Sequence, residues 1–176
     1  MEGNRAWVIH DHLALAFTAE EVEGGYRFEL SVTNQGDTQR EVQLAFHPYF
    51  AVSSVADVKV TGLERTKVWD RVSHDKNIQS GAFTFSGLTD RISMEAREVE
   101  LRDAHRTLHI TPEGTDATVL WNPGEKEAAR LEDLGAGEWD NFVCVEPALL
   151  GKNFEGVNLP VGETRTIAMT VTATAL

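Results

Sequence analysis

The chain carries a single cysteine, Cys144, in 176 residues. An internal disulfide is therefore excluded, as is any zinc cluster built on several thiolates, and this usage fits a reducing compartment. Cys144 sits inside Val143-Cys144-Val145 and reads as an inert thiol. Long hydrophobic runs are also missing: nowhere do about 18 apolar residues run together, and the opening Met1-Glu2-Gly3-Asn4-Arg5 leads into no apolar stretch of signal-peptide length. A cytoplasmic location is the expectation. Basic residues are scarce, 16 Lys and Arg against 28 Asp and Glu, for a net charge of −12. A surface that acidic repels polyphosphate backbones and anionic headgroups, which argues against nucleic acid and membrane partners. Absent too are Gly-x-Gly-x-x-Gly, a Walker loop, His-Glu-x-x-His and Gly-x-Ser-x-Gly, so nucleotide cofactors, zinc proteases and serine hydrolases lose their usual support.

What remains is ordinary globular material, 41% hydrophobic and 25% charged, in a length that suits one domain spanning residues 1–176. Val, Thr and Ile make up 38 of the 176 residues. Branching at Cβ restricts χ1 in helices and packs well on pleated sheets, so the composition leans to an all-β fold. Alternating or apolar runs predict strands at Leu13–Thr18, Tyr26–Thr33, Glu41–Phe50, Asp57–Thr61, Ala82–Phe85, Arg91–Glu95, Thr107–Thr111, Ala117–Trp121, Asn141–Glu146 and Arg165–Ala173. The connection Asn34-Gln35-Gly36-Asp37 predicts a hairpin between the second and third of these. Asn122 and Pro123 form a cap and first-turn pair for one short, exposed helix through Leu131, ended by Gly135. No repeat, low-complexity tract or linker divides the chain.

The candidate chemistry is acid and base. His10 and His12, and likewise His105 and His109, could share faces and offer imidazoles to a metal, but neither pair comes with a further spaced ligand set, and solvent-exposed, non-ligating histidines are the plainer reading. His47 is different because it lies in the apolar run Leu44-Ala45-Phe46-His47-Pro48-Tyr49-Phe50. Alternation puts Gln43, Ala45 and His47 on one face and Val42, Leu44 and Phe46 on the other. The imidazole is then either a core-edge group bonded to a carbonyl or a working acid. Glu146 shares a face with Cys144, while Val143 and Val145 share the opposite one. Its carboxylate either stands in water, with Pro147 ending the strand, or is desolvated, with the raised pKa that suits a base near neutral pH. Asp90-Arg91 could bind hydroxyls or decorate the surface, and Trp121 beside Asn122 could stack on and hydrogen-bond a sugar ring or belong to the core.

Together, Ala45-Phe46-His47-Pro48-Tyr49-Phe50, Gly87-Leu88-Thr89-Asp90-Arg91, Trp121-Asn122-Pro123 and Val143-Cys144-Val145-Glu146-Pro147-Ala148 resemble the aldose 1-epimerases, most closely the hexose-6-phosphate 1-epimerase branch. Val32–Asp37 and Leu159–Glu163 resemble that branch's linking segments, so the likeness runs from about Tyr26 to the C-terminus. The resemblance implies a β-sandwich of the galactose mutarotase type, no cofactor, and interconversion of the α and β anomers of a hexose or hexose 6-phosphate. By the same likeness His47 would be the general acid at the ring oxygen and Glu146 the base at the anomeric hydroxyl. Asp90 would hold sugar hydroxyls, with Trp121 and Asn122 near the pocket. Members of the family carry a substantial N-terminal portion that is not matched here, including arginines that hold a phosphate. Arg65, Arg71 and Arg91 are conceivable substitutes without a motif behind them, and the region before Tyr26 looks abbreviated, with no strand pair evident. A sandwich short of strands exposes edges and apolar faces, so a homodimer that completes the sheets is expected. The alternative is a carbohydrate-binding or assembly module that keeps the fold without turnover. A glycosidase using Asp90 and Glu146 ranks last, because it leaves His47 without a role.

Overall fold

A computed structural model describes residues 4–176. Sixteen strands follow one another: β1 (Asn4–His10), β2 (Leu13–Val22), β3 (Gly25–Asn34), β4 (Arg40–Val42), β5 (Leu44–Ala45) and β6 (Tyr49–Ala51). Then come β7 (Lys59–Thr61), β8 (Lys67–Asp70), β9 (Lys76–Ile78), β10 (Thr89–Ser93), β11 (Val99–Arg102) and β12 (Arg106–Glu113). After β13 (Ala117–Asn122) and the helix α1 (Gly124–Ala128), the chain finishes with β14 (Phe142–Leu149), β15 (Val157–Leu159) and β16 (Thr164–Ala175). One sheet has the order β1-β2-β3-β16-β12-β11-β7, and a second runs β5-β14-β13-β10-β8-β9 with β6 also on β14. A two-stranded ribbon, β15-β4, lies beside them. The expected all-β sandwich with one short helix is thus the architecture. No helix among the described residues is long and apolar enough to cross a membrane.

The core lies between the two large sheets. Val32, Val99, Leu101, Leu108, Ile110, Ile167 and Met169 from the first meet Leu44, Phe46, Leu120, Val143 and Val145 from the second. Val143 and Val145 have no exposed surface, which is worth about 1.5–3 kcal/mol for each buried side chain of this kind. The alternation expected at residues 42–47 is observed, with Val42, Leu44 and Phe46 buried and Gln43, Ala45 and His47 exposed.

Several expectations are overturned. The segment from Asn34 to Asp37 closes no hairpin, since β3 pairs with β2 and β16 whereas β4 pairs with β15. The buried Asn34 amide donates to the carbonyls of Thr38 and Leu159, and this anchors a crossover rather than a reversal. The run Glu41–Phe50 is three short strands, interrupted where Pro48 has no N–H to give. Ala82–Phe85 contributes only a bridge between Val60 and Phe83. A strand pair does precede Tyr26, because β1 lies antiparallel on β2 through His10↔Leu13. Its outer member leaves Trp7, Val8 and Ile9 exposed at an open edge. β14 does not stop at Pro147 but continues to Leu149, and α1 ends at Ala128, well short of Leu131. His10 ends β1 with His12 in the following turn, and His105 precedes β12, so neither histidine pair shares a strand face. His109 instead bonds Thr174 Oγ1 at 3.1 Å.

Candidate active site

Two strand pairings decide where the site forms. β5 meets β14 with Ala45 opposite Ala148, and β6 meets β14 with Tyr49 opposite Cys144. Both pairings have one register, because Tyr49 lies four positions after Ala45 and Ala148 four positions after Cys144. His47, midway in the first segment, therefore faces Glu146, midway in the second. Phe46 N–H to Pro147 O, 3.1 Å, bridges the gap where Pro48 breaks the ladder. Cross-strand neighbours project to the same face, and His47 Nε2 lies 3.5 Å from a Glu146 carboxylate oxygen. The pair stands on the face of the second sheet turned away from the core that Val143 and Val145 fill.

The two groups differ in exposure, and the difference sets their chemistry. The His47 side chain is 50% exposed and that of Glu146 only 9%. The open-water reading of Glu146 is therefore overturned. Burial, with the nearby Asp90 charge as the lesser cause, pushes its pKa up from 4.5 to about 7. Asp90 is itself raised, chiefly by burial and slightly by Asp70, against the Arg71 guanidinium 3.4 Å away, which pulls the other way. A partly desolvated carboxylate pair thus shares the cleft with one half-exposed imidazole.

Aromatic side chains wall the pair. The His47 ring stacks on Tyr49 at 5.0 Å between centroids and meets the edge of Trp121 at 5.5 Å. Phe142 packs against both Tyr49 and Trp121. Trp121 is opposite Asp90 across β10 and β13, and Val119 is opposite Glu146 across β13 and β14, so adjacent register positions of one sheet carry Asp90, Trp121 and Glu146. Alternation could have pointed to Tyr49, which shares the parity of His47, but it was given no role from sequence.

Asn122 is brought near the cleft but not into it. Its buried amide donates to the Trp139 and Phe142 carbonyls, and its oxygen accepts from Gly124 N–H at 2.8 Å. It braces the turn from β13 into α1. Gly124 in that turn has φ of +61°, and a Cβ there would come within 2.5 Å of the Leu88 backbone nitrogen. That close approach seats the 87–88 turn just ahead of Asp90, and only glycine permits it. Of the three arginines considered for an anion, Arg71 stands at the cleft through its pair with Asp90. Arg91 lies over the Phe83 ring, and Arg65 is exposed elsewhere. The most apolar cavity, about 610 Å³, is lined by Phe17, Phe28, Phe46, Leu108, Met169 and Val171 among others and reaches His47 and Tyr49, while Glu146 and Asp90 are not in its wall.

The family profile described as aldose 1-epimerase matches residues 6–172, starting well ahead of Tyr26. A provisionally named glucose-6-phosphate 1-epimerase from Cenchrus ciliaris is 32% identical over 125 residues, covering 68% of this chain and 38% of that protein. One of the same provisional name from Salmonella typhimurium is 31% identical over 155 residues, covering 82% of this chain and 49% of that protein. The chain thus spans about half the length, or less, of these curated relatives. A Salmonella typhimurium structure provisionally described as a mutarotase superposes with a TM-score of 0.81 at 24% identity, over 93% of this chain and 54% of that one. A galactose 1-epimerase from Lactobacillus acidophilus gives 0.70 at 11% identity, over 98% and 66%. At these identities the structural likeness is one of fold.

Proposed function

The chain belongs to the aldose 1-epimerase family, and on that premise we propose that it interconverts the α and β anomers of a hexose or hexose 6-phosphate, with Glu146 as base and His47 as acid. The observation that carries this reading is the opposition of His47 and Glu146 at 3.5 Å in a half-open aromatic cleft. The Glu146 carboxylate takes the proton from the anomeric hydroxyl as the bond from C1 to the ring oxygen breaks, and protonated His47 delivers a proton to that oxygen. The open-chain aldehyde turns about C1–C2, and the same transfers run backwards on the other carbonyl face. Both reacting oxygens are bonded to C1, so the reaction needs an acid and a base close together. A carboxylate whose pKa is about 7 suits this work, because its affinity for a proton is balanced at neutral pH. Asp90 would orient sugar hydroxyls, Trp121 would offer a ring face, and Asn122 would hold the turn that places them. Arg71 is the cation within reach of an anionic substituent.

A second reading, a sugar-binding or assembly module without turnover, draws support from the chain's spanning only 38% and 49% of the two relatives. Polarimetry or NMR exchange on freshly dissolved α-D-glucose and glucose 6-phosphate separates the two. The epimerase reading expects acceleration above buffer that disappears in His47→Ala and in Glu146→Ala. Folded wild-type protein that binds a sugar yet leaves both rates at the buffer value would establish the second reading instead.

A further inference from the structure

We propose that His47 Nε2, Cys144 Sγ and the Glu146 carboxylate form a binding site for a borderline-to-soft divalent cation of the Zn²⁺ and Cd²⁺ class, and that occupancy silences the acid–base pair. The three donor atoms lie within 4.8 Å of one another, and no other trio of histidine, cysteine or acidic donors converges in this way among the described residues. The convergence follows from register. Cys144 and Glu146 project to one face of β14 from alternate positions, and His47 reaches in from the facing segment. Cys144 is fully buried, and its thiol, inert as a sequence feature, stands within 4.8 Å of the imidazole and carboxylate donors.

The geometry is close to what a tetrahedral ion asks. Arms of about 2.0 Å to nitrogen or oxygen and 2.3 Å to sulfur put donor atoms about 3.5 Å apart. The His47–Glu146 separation is already 3.5 Å. The rest of the spread, at most 4.8 Å between donors, is closed by side-chain rotation, for which the half-exposed His47 ring has the most room. A neutral imidazole, a thiolate and a carboxylate present two negative charges to a divalent ion, and mixed nitrogen, sulfur and oxygen donors favour Zn²⁺ or Cd²⁺ over Mg²⁺ and Ca²⁺, which take oxygen ligands. Binding releases the Cys144 proton to solvent, since the metal takes the thiolate.

The test uses Cd²⁺ as the probe and the ultraviolet thiolate-to-cadmium charge-transfer band as the signal. Cys144 is the sole cysteine, so the band reports one atom. The expected result is a band saturating at one equivalent, unaffected by excess Mg²⁺ or Ca²⁺, absent in Cys144→Ala, and needing at least tenfold more Cd²⁺ in His47→Ala and in Glu146→Gln. His47 is half exposed, so its alanine variant keeps the question answerable even if Cys144→Ala does not fold. No band in folded wild-type protein, or a band of unchanged affinity in both ligand variants, overturns the proposal. The inhibitory half rests on the epimerase reading and is read separately: Zn²⁺ should suppress anomer exchange, chelator should restore it, and full activity at saturating Cd²⁺ would refute it. The spectral arm requires no turnover, so the metal site and the enzymatic reading stand or fall independently.

Discussion

Replacing Glu146 by Gln keeps shape and hydrogen-bonding reach while removing the charge, and the structure states what that should do to stability. In the folded chain the carboxyl titrates at about 7, against 4.5 ordinarily. At each pH between those values the folded state holds a proton that the unfolded state has released, so stability is highest below 4.5 and is lost as pH rises. Two and a half pH units at about 1.4 kcal/mol each come to about 3 kcal/mol when the loss is complete. Between pH 5.5 and 8.5 about 2 kcal/mol of it should be lost. The Gln variant lacks this term, so its stability relative to wild type should improve by about 2 kcal/mol across that range, or about 4–8 °C in Tm for a chain of this size. Denaturant unfolding of both proteins at pH 5.5, 7 and 8.5 gives the double difference, which cancels the titration of the other 27 acidic residues. A wild-type-to-variant difference that stays flat with pH, or that moves the opposite way, would refute the burial argument. The same variant should lose anomer exchange at every pH, separating stability from activity.

Wild-type anomer exchange should have an ascending limb with its midpoint near pH 7, where Glu146 ionises, in a pH–rate profile on saturating sugar. Asp90→Asn removes the charge that adds to the Glu146 shift, so that midpoint should move to lower pH by less than one unit while KM rises. Gly124→Ala forces a side chain against the Leu88 backbone at a φ of +61°, which should cost about 1–3 kcal/mol by denaturant unfolding. Asn122→Ala leaves the Trp139 and Phe142 carbonyls without their donor and should cost about 1–3 kcal/mol, with KM for sugar changed less than twofold if the amide only braces the turn.

The parts of this molecule legible in its sequence are those carried by short-range periodicity. Alternation from Val42 to His47 assigned each side chain to its face, and the same rule separated Val143 and Val145 from Cys144 and Glu146. The strands β8, β9, β11 and β15 escaped notice because each is three or four residues long and several carry charges, too short for a period of two to stand out. The Asn34–Asp37 hairpin failed for another reason. A glycine-containing connection permits a reversal but does not require one, and the buried Asn34 amide settles the chain into a crossover through partners as remote as Leu159.

By itself the sequence determined an all-β chain of net negative charge, the faces on which His47 and Glu146 stand, and the motifs that mark the aldose 1-epimerase family. The tertiary structure alone decided that β5 and β6 share one register on β14, that His47 consequently meets Glu146, and that the Cys144 sulfur lies within 4.8 Å of both. The physical reason is that face assignment is local, set by neighbours two residues apart, whereas register between distant strands is chosen by which pairing satisfies backbone hydrogen bonds and buries the apolar face together. Burial follows from that choice, and the raised pKa of Glu146 follows from burial.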